Sequence, residues 1–455
     1  MLFQLLKRHT QSGEIEFENF HSTFPFVSCF IVSCFIVCTR SYGRSANARY
    51  LRTRCLQDLA ASMLWIPLAA LLLAGCSSPH APTVLHAAPN SSTLPTLREA
   101  LSLAAACARS RILLQPGLHR IAEPLHLPKG CTLQGRGVAT VSGGVDIGPW
   151  EPVPETPWLF AAALPAGLGW HRGVYQLFVD GQRRGVARSA TMRFSKVSST
   201  GLEVAPGQIL GHYANQSALR CVTYQHWTAA IQRVLSANAS SNQITLEHTP
   251  DPMTGDKGSG SRYYLENAPE YLRPGSGTFY AEQHRIVYSP LAGDEAARFS
   301  RSPQPKVIAP RPGLYELIRS NDTHDVRIDG VNFAHTDVEM EECLAGGCAG
   351  QSVSWLDKAA LHFEASSRLH LVNVSIQHVG GHALWFGAGV SNASCTHSLI
   401  HDLAAGGVRI GGPYRGDQAI KLNKTATNVT LSDTVIKDGG NLFRSGMGVL
   451  LQASG

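Results

Sequence analysis

The chain has 455 residues, 16% of them charged, and a formal net charge of +6 at neutral pH. Glycine (43 residues) and proline (25) are frequent and 44% of the residues are hydrophobic, which is a globular balance rich in turns. The positive charge is spread along the chain without a basic stripe, which argues against nucleic acid as a partner.

The N-terminal residues 1–78 are expected to be a targeting segment and a disordered N-terminus. Residues 63–78 follow two arginines and combine an apolar core with small residues at the end, the pattern of a signal peptide. The ending Leu73-Ala-Gly-Cys76 also resembles a bacterial lipobox, in which Cys76 carries the lipid; a signal anchor is the alternative. We therefore expect a secreted or cell-surface-anchored protein, with membrane contact only through an N-terminal anchor or a lipid at Cys76.

Asparagine usage bears on the secretory route. Of 14 asparagines, eight lie in the acceptor pattern Asn-x-Ser/Thr, which acts only in a eukaryotic secretory pathway. This excess favours a secreted glycoprotein over a bacterial lipoprotein. The alternative is that Asn and Ser/Thr recur because they suit the turns of a repeating β fold.

Residues 79–149 read as the start of the folded part. A linker at 79–92 is followed, in residues 93–149, by a capping helix and the first strands. The helix is predicted over 97–108, with Thr96 as N-cap and Glu99 three residues later. The long segment 150–309 breaks the later rhythm, and its Asp180-Gly181 turn indicates an inserted antiparallel β region.

Two cysteines near the middle of the chain are candidates for a disulfide. Of the 11 cysteines, Cys343 and Cys348 are separated by Leu-Ala-Gly-Gly, which allows a tight loop to close. No Cys/His group has the spacing of a zinc site. We therefore expect this disulfide and neither a metal nor a cofactor.

Residues 310–455 carry a repeat. Three alternating stretches, at 369–378, 392–402 and 428–438, each end in an isoleucine, one further residue and a polar residue. Ile376 and Ile400 are 24 residues apart, and so are Leu384 and Val408 in the strands that follow; Ile436 fits one further repeat with an insertion. A strand-and-turn period in the low twenties predicts a right-handed parallel β-helix within an all-β chain.

Several motifs resemble a known group of proteins. They are, in chain order, the segments at 141–150, 176–188, 262–270, 381–389 and 400–411. Together they resemble the pectin-lyase-like superfamily, and within it the carbohydrate-active proteins of glycoside hydrolase family 141. The resemblance implies a parallel β-helix acting on a polysaccharide or glycan. Two departures stand out: Gly412 replaces an acidic residue that is usual there, and the sequence ends at Gly455, where the family continues, so we expect a truncated β-helix.

One column of polar residues carries the predicted chemistry. His335, His378, Asp402 and Asp438 each lie two residues after an apolar anchor of the repeat. Stacked residues on neighbouring parallel strands are about 4.8 Å apart, which suits the two carboxylates of a retaining glycosidase. Asp402 and Asp438 are therefore the candidate catalytic pair. The alternative is that both aspartates only form turns.

Four further residues are candidate substrate contacts. His378 and His401 flank the aspartates, Trp385 offers a ring for sugar stacking, and Arg409 offers a guanidinium. Trp385 could equally be core. Arg409 alternates with Val408 and Ile410, so it is expected to point outward, and a solvated side chain is the alternative to sugar binding.

Three functions stay open at this stage. The first is glycosidic bond hydrolysis by paired carboxylates. The second is a polysaccharide lyase, for which Lys437 beside Asp438 is the cue. The third is a non-catalytic β-helix for adhesion or glycan binding.

Overall fold

The computed structural model describes residues 82–89, 91–107, 109–170, 173–225, 227–248, 262–340, 350–412, 420–422 and 424–452. Strands dominate these residues, alongside two α-helices and three 3-10 turns, so the prediction of an all-β chain is confirmed. The targeting segment 1–78 with Cys76, and the proposed pair Cys343 and Cys348, lie outside the described residues.

Eleven strands form one sheet in which every pairing is parallel, named here the long parallel sheet. Its strands are Thr83–Ala87, Ser110–Leu114, Gly117–Arg120, Cys131–Ser142, His324–Ala334, Ser367–Val372, Ser375–Val379, Ser391–Thr396, Leu399–Leu403, Thr427–Ser432 and Val435–Lys437. Parallel strands require a long connection between partners, and here that connection carries the strands of a second sheet.

The second sheet, named the short parallel sheet, has five strands and is also parallel throughout. Its strands are Ile318–Asn321, Ala359–Glu364, His382–Phe386, Val408–Ile410 and Val449–Leu451. From residue 318 onward the chain alternates between the two parallel sheets, and each strand pairs with the equivalent strand of the next turn of chain. The repeat seen in the sequence is this alternation.

The apolar anchors of the repeat stand in register. Ile376 pairs with Ile400, and Ile400 pairs with Ile436, as their spacing predicted. Ile376 and Ile400 are fully buried and Ile436 is half-buried. Burying a side chain of this size contributes about 1.5–3 kcal/mol, and a slip by one residue would turn every anchor toward the other face. The anchors therefore determine which polar residues meet.

All antiparallel pairings of the described residues fall between Gly144 and Pro310, in two further sheets. The mixed sheet comprises Gly144–Asp146, Glu151–Val153, Thr156–Ala163, Leu177–Val179, Gln182–Val186, Thr278–Ala281, Arg285–Ser289 and Val307–Pro310. The closed sheet comprises Met192–Ser198, Gly201–Val204, Arg220–Tyr224, Ala229–Asn238, Gln243–Leu246 and Arg262–Glu266. Each has its own apolar core.

A third apolar cluster joins the closed sheet to the parallel part of the fold. Val222 and Tyr264 of the closed sheet pack with Val338, Ala405 and Phe443. These last residues lie in the connections of the parallel sheets, so the two parts share one buried surface.

The helices are short and have clear local causes. The first, Leu97–Ala104, has the predicted capping box, in which Thr96 and Glu99 bond each other's backbone amides. It ends four residues earlier than predicted. The second, Asp294–Phe299, follows Gly293 and buries Phe299 in the core of the mixed sheet. Neither helix is long or apolar enough to span a bilayer, and the same holds for every helix in the described ranges.

Candidate functional site

The polar column predicted from the repeat is present as a backbone feature. His335, His378, Asp402 and Asp438 have φ values of 66°, 57°, 52° and 52°. This left-handed conformation is uncommon for residues other than glycine, and Asn, Asp and His adopt it most readily. The chain bends in the left-handed conformation at each of these four positions. This bend explains in part why the column consists of Asp and His.

Asp402 is the centre of the site, and its carboxylate is almost fully engaged. Nδ1 of His378 lies 2.5 Å from Oδ2 of Asp402. Arg183 donates from Nε to Oδ1 at 2.5 Å and from Nη2 to the backbone carbonyl at 3.0 Å. Asn441 donates from Nδ2 to Oδ1 at 3.2 Å. The side chain of Asp402 keeps 17% of its surface exposed.

Arg183 reaches Asp402 from a different part of the fold. It lies on strand Gln182–Val186 of the mixed sheet, directly after the Asp180-Gly181 turn. Its guanidinium also donates to Oε1 of Gln176 at 2.8 Å and lies 4.9 Å over the ring of Phe178. The hairpin Leu177–Val186 therefore holds the guanidinium in one orientation against the carboxylate.

The electrostatic consequence is an aspartate that stays charged. Burial alone would raise the pKa of Asp402, but the hydrogen bond with His378 and the charge of Arg183 outweigh it and bring the pKa below its usual value. Opposite charges within contact distance favour the ionised form. Asp402 is thus suited to act as a base, a nucleophile or an electrostatic partner rather than as an acid.

His378 is held between Asp402 and a second histidine. The rings of His335 and His378 stack with centroids 5.3 Å apart, and Phe178 covers His378 at 4.4 Å. Nδ1 of His335 lies 2.9 Å from Oγ of Ser142. Burial, followed by the charge of His378, lowers the pKa of His335 to about 3, so His335 is neutral at physiological pH.

His401 and Asp438 form the more open side of the site. The His401 ring is 6.4 Å from that of His378, and burial lowers its pKa. The Asp438 side chain is 63% exposed and lies 3.5 Å from Nζ of Lys437. Asn441 connects the two aspartates, because its Nδ2 also donates to the carbonyl oxygen of Asp438 at 2.9 Å. The structure thus places His378 in contact with Asp402 and near His401, and it places Asp438 on the adjacent turn with an exposed side chain.

Arg409 and Trp385 lie elsewhere, on the short parallel sheet. Arg409 is 1% exposed, so the expectation of an outward, solvated side chain is wrong. The segment 354–356 covers this face, and Arg409 donates to the carbonyl oxygens of Leu356 and Ser354. Burial lowers the pKa of Arg409 to about 10.

Trp385 is 2% exposed, and both faces of its ring are occupied. His362 stacks on one face at 4.0 Å, and the guanidinium of Arg409 lies 3.9 Å from the ring centroid. The indole Nε1 donates to the carbonyl oxygen of Gly411 at 2.7 Å. The expected roles of Trp385 as a sugar platform and Arg409 as a sugar ligand do not fit this packing, because neither side chain is accessible.

A second polar cluster on the short parallel sheet was missed in the sequence. His362 has Glu316 2.9 Å from Nδ1 and Glu364 3.3 Å from Nε2, and Arg319 approaches both glutamates. The neighbouring His362 and the charge of Arg319 lower the pKa of Glu364, against burial. Register explains the cluster, since Arg319, His362, Trp385 and Arg409 occupy successive partner positions.

Arg183 was also missed as a site residue, although its segment was noticed. The run Gln176-Leu-Phe-Val-Asp-Gly-Gln-Arg-Arg signals a hairpin, in which Arg183 contacts Asp402 and Gln176 accepts a hydrogen bond from Arg183. Nothing in local spacing pairs this hairpin with the repeat. Among the side chains of the described ranges, no group of three or more His, Cys, Asp or Glu is arranged to hold a metal ion.

Comparison with known proteins shows a similar fold but identifies no family. No protein-family model matches the chain, and no curated protein sequence matches it. One solved structure, described as a glycoside hydrolase, is similar over 81% of this chain and 75% of its own, with a TM-score of 0.64 and 18% identity. A second, the tailspike gp61 of Pseudomonas phage phi297, has a TM-score of 0.15 and 11% identity.

Proposed function

We propose that this chain is a secreted or cell-surface-anchored glycoside hydrolase that acts on a polysaccharide. The observation that carries the proposal is the cluster of Asp402, His378 and His401 beside Asp438, on a fold similar to that of a solved glycoside hydrolase. We further propose that the two parallel sheets belong to a right-handed parallel β-helix of the pectin-lyase-like superfamily, resembling family 141.

The proposed chemistry divides the roles between the aspartates. Water is added across a glycosidic bond, which needs one group to attack the anomeric carbon and one to protonate the leaving oxygen. Asp402, whose pKa lies below its usual value, would act as nucleophile or base. Asp438, on the adjacent and more exposed turn, would act as the acid. Asp438 directly follows the strand Val435–Lys437, which pairs with the strand of Asp402, and a retaining mechanism would require the two carboxylates to lie about 5 Å apart.

The histidines would assist without taking the principal roles. His378 contacts Asp402 directly and would hold its charge and orientation. His401 is half-buried at the open side of the site, where it could contact a sugar hydroxyl. Arg183, which no sequence feature suggested, would keep Asp402 ionised during the reaction.

An activity screen tests the proposal directly. The full chain is incubated with neutral and uronic polysaccharides, with and without EDTA, and new reducing ends are measured. The screen is repeated with Asp402→Asn, Asp438→Asn and the control Asp433→Asn, another exposed aspartate at a left-handed position. We expect activity that resists EDTA, losses of about 10³-fold or more for the first two variants, and wild-type activity for the control.

Two alternatives correspond to other outcomes of the same screen. Products with an unsaturated ring, absorbing in the ultraviolet, would indicate a lyase with Lys437 as base; Lys437 is 55% exposed and near Asp438. Binding without cleavage would indicate a non-catalytic glycan-binding protein. The full engagement of the Asp402 carboxylate by Arg183 and His378 is the observation that keeps this last alternative open.

A further inference from the structure

One side chain in the described part of the chain hydrogen-bonds to both aspartates of the candidate site. Nδ2 of Asn441 donates to Oδ1 of Asp402 at 3.2 Å and to the carbonyl oxygen of Asp438 at 2.9 Å. The same nitrogen also lies 3.1 Å from the carbonyl oxygen of Leu403, so its two hydrogens are shared among three acceptors. A single amide group therefore connects the turn that carries Asp402 to the turn that carries Asp438.

The backbone places this amide independently of its side chain. The backbone N–H of Asn441 donates to the carbonyl oxygen of Leu403 at 3.1 Å, and that of Gly440 donates to the carbonyl oxygen of Ala405 at 2.8 Å. Gly440 has a φ of 70°, a left-handed conformation that glycine adopts without strain. Phe443 is buried in the apolar cluster that contains Ala405. These contacts remain when the side chain of residue 441 is replaced, so the turn should keep its fold.

The carboxylate of Asp402 is held from three directions, and Asn441 supplies a donor that carries no charge. Arg183 approaches Oδ1 from the mixed sheet at 2.5 Å, and Nδ1 of His378 lies 2.5 Å from Oδ2. Asn441 reaches Oδ1 from the following turn of chain. Catalytic groups must stay within about 0.5 Å of their working geometry, and this third contact restricts rotation of the carboxylate. The contact with Asn441 thus bears on direction, whereas the contact with Arg183 also bears on charge.

An amide at this position also keeps a like charge away from Asp402. Aspartate has nearly the same shape as asparagine, but one of its oxygens would stand where Nδ2 now lies, 3.2 Å from Oδ1 of Asp402. Two carboxylates this close repel each other strongly when both are ionised, so one of them keeps a proton. The neutral amide therefore allows Asp402 to stay charged.

We propose that Asn441 is a positioning residue for glycosidic bond hydrolysis, which fixes the direction of the Asp402 carboxylate and the place of the Asp438 turn beside it. The inference rests on the proposed function and adds to it a residue that neither the repeat nor any motif of the sequence indicates. Because one amide makes both contacts, a displacement of either aspartate also displaces the partner of the other. Asn441 acts through the two aspartates and needs no contact with the glycan.

Two substitutions separate the geometric effect from the electrostatic effect. Asn441→Ala removes the side-chain contacts to both aspartates, whereas Asn441→Asp keeps the shape and brings a second carboxylate to Asp402. The control is Asn242→Asp, which adds the same charge at a half-buried position in a turn of the closed sheet. For each full-length chain, kcat and KM are measured against pH on the polysaccharide that the activity screen shows to be cleaved. The melting temperature is measured alongside.

Asn441→Ala should lower kcat by about 10- to 100-fold, because a reacting group displaced by about 1 Å loses rate on that scale. KM should change by less than about threefold, and the melting temperature should stay near that of the wild type. Asn441→Asp should move the acid limb of the pH–activity profile to higher pH by at least about one unit. The reason is that the raised pKa of the paired carboxylates keeps Asp402 protonated up to a higher pH. Asn242→Asp should leave kcat and the profile unchanged.

A kcat within about twofold of the wild type in both Asn441 variants, or an acid limb that does not move in Asn441→Asp, would overturn the positioning role and leave the hydrolysis intact. Activity lost only in proportion to the folded protein would likewise show that Asn441 merely supports the fold. A wild-type chain that cleaves no polysaccharide would instead overturn the proposed hydrolysis and its positioning residue together. Denaturant unfolding then still reports on the contact itself. The stability lost in Asn441→Asp should be larger near about pH 7 than near about pH 4, where protonation relieves the repulsion.

Discussion

Arg183 and Asp402 are 219 residues apart in the chain, yet the Nε of Arg183 lies 2.5 Å from Oδ1 of Asp402. Their side chains are only 16% and 17% exposed. A pair in this setting behaves as a buried ion pair, whose single members are costly to remove. It also joins the mixed sheet to the long parallel sheet.

Replacing Arg183 with alanine should lower the free energy of unfolding by about 3 kcal/mol, because the largely buried carboxylate of Asp402 would lose its guanidinium partner. The matched control is Arg298→Ala, which breaks the exposed pair with Asp180 and should cost less than about 1 kcal/mol. Denaturant unfolding measures both. Equal stability of the two variants would show that the Arg183 pair adds nothing.

The free energy of unfolding should fall as the pH is lowered between the pKa values that His335 has in the unfolded and the folded protein. Its pKa in the folded protein is lowered to about 3, while an unfolded chain titrates near ~6.5. The unfolded state therefore binds more protons below about pH 6.5, so the stabilisation is full above that pH and is lost as pH falls toward 3. In His335→Gln the loss over this window should be smaller. The exposed His370→Gln should keep the wild-type profile of melting temperature against pH.

Trp385→Ala should destabilise the protein by about 3–5 kcal/mol, since the ring is buried between His362 and Arg409. The Michaelis constant for the glycan should not change in the folded fraction. Trp227→Ala, at an exposed position, should change stability by less than about 0.5 kcal/mol. A raised Michaelis constant with unchanged stability in Trp385→Ala would restore its role as a sugar platform.

Gly380→Ala should displace the backbone next to His378 and so alter the geometry of the candidate site. A Cβ at this position would lie 1.9 Å from the carbonyl oxygen of Asp337, so the strand that carries His378 must move. We expect a loss of about 1–3 kcal/mol and reduced glycan turnover. Gly211→Ala is the control, because its Cβ would meet nothing within 4 Å. Unchanged melting temperature and activity in Gly380→Ala would contradict this account.

The sequence predicted those parts of the fold that repeat at short range. The spacing of Ile376, Ile400 and Ile436 predicted the strand register, because a regular period leaves one pairing that places all three opposite one another. The same register brings Asp402 next to His378. Local chemistry likewise gave the capping box at Thr96 and Glu99.

The features that the sequence did not predict depend on contacts between segments that are distant in the chain. Alternation on its strand made Arg409 look solvated, but the segment 354–356 closes over that face and supplies the carbonyl acceptors. Arg183 belongs to a hairpin that packs against the turn of chain carrying Asp402, and no motif near either residue indicates this pairing. Likewise, Glu316 and Glu364 belong to different turns of chain, and His362 and Arg319 each contact both of them.

The Arg183–Asp402 pair also constrains the order of assembly. During synthesis the hairpin Leu177–Val186 leaves the ribosome long before Asp402 does. The guanidinium of Arg183 therefore stays solvated until the strand that carries Asp402 has been made. Contacts across such a span close late and slow the folding of the whole domain. Until the contact between Arg183 and Asp402 forms, the edges of the parallel sheets remain available for pairing with other chains. The yield of soluble protein should therefore depend on how quickly the strand that carries Asp402 docks against the hairpin.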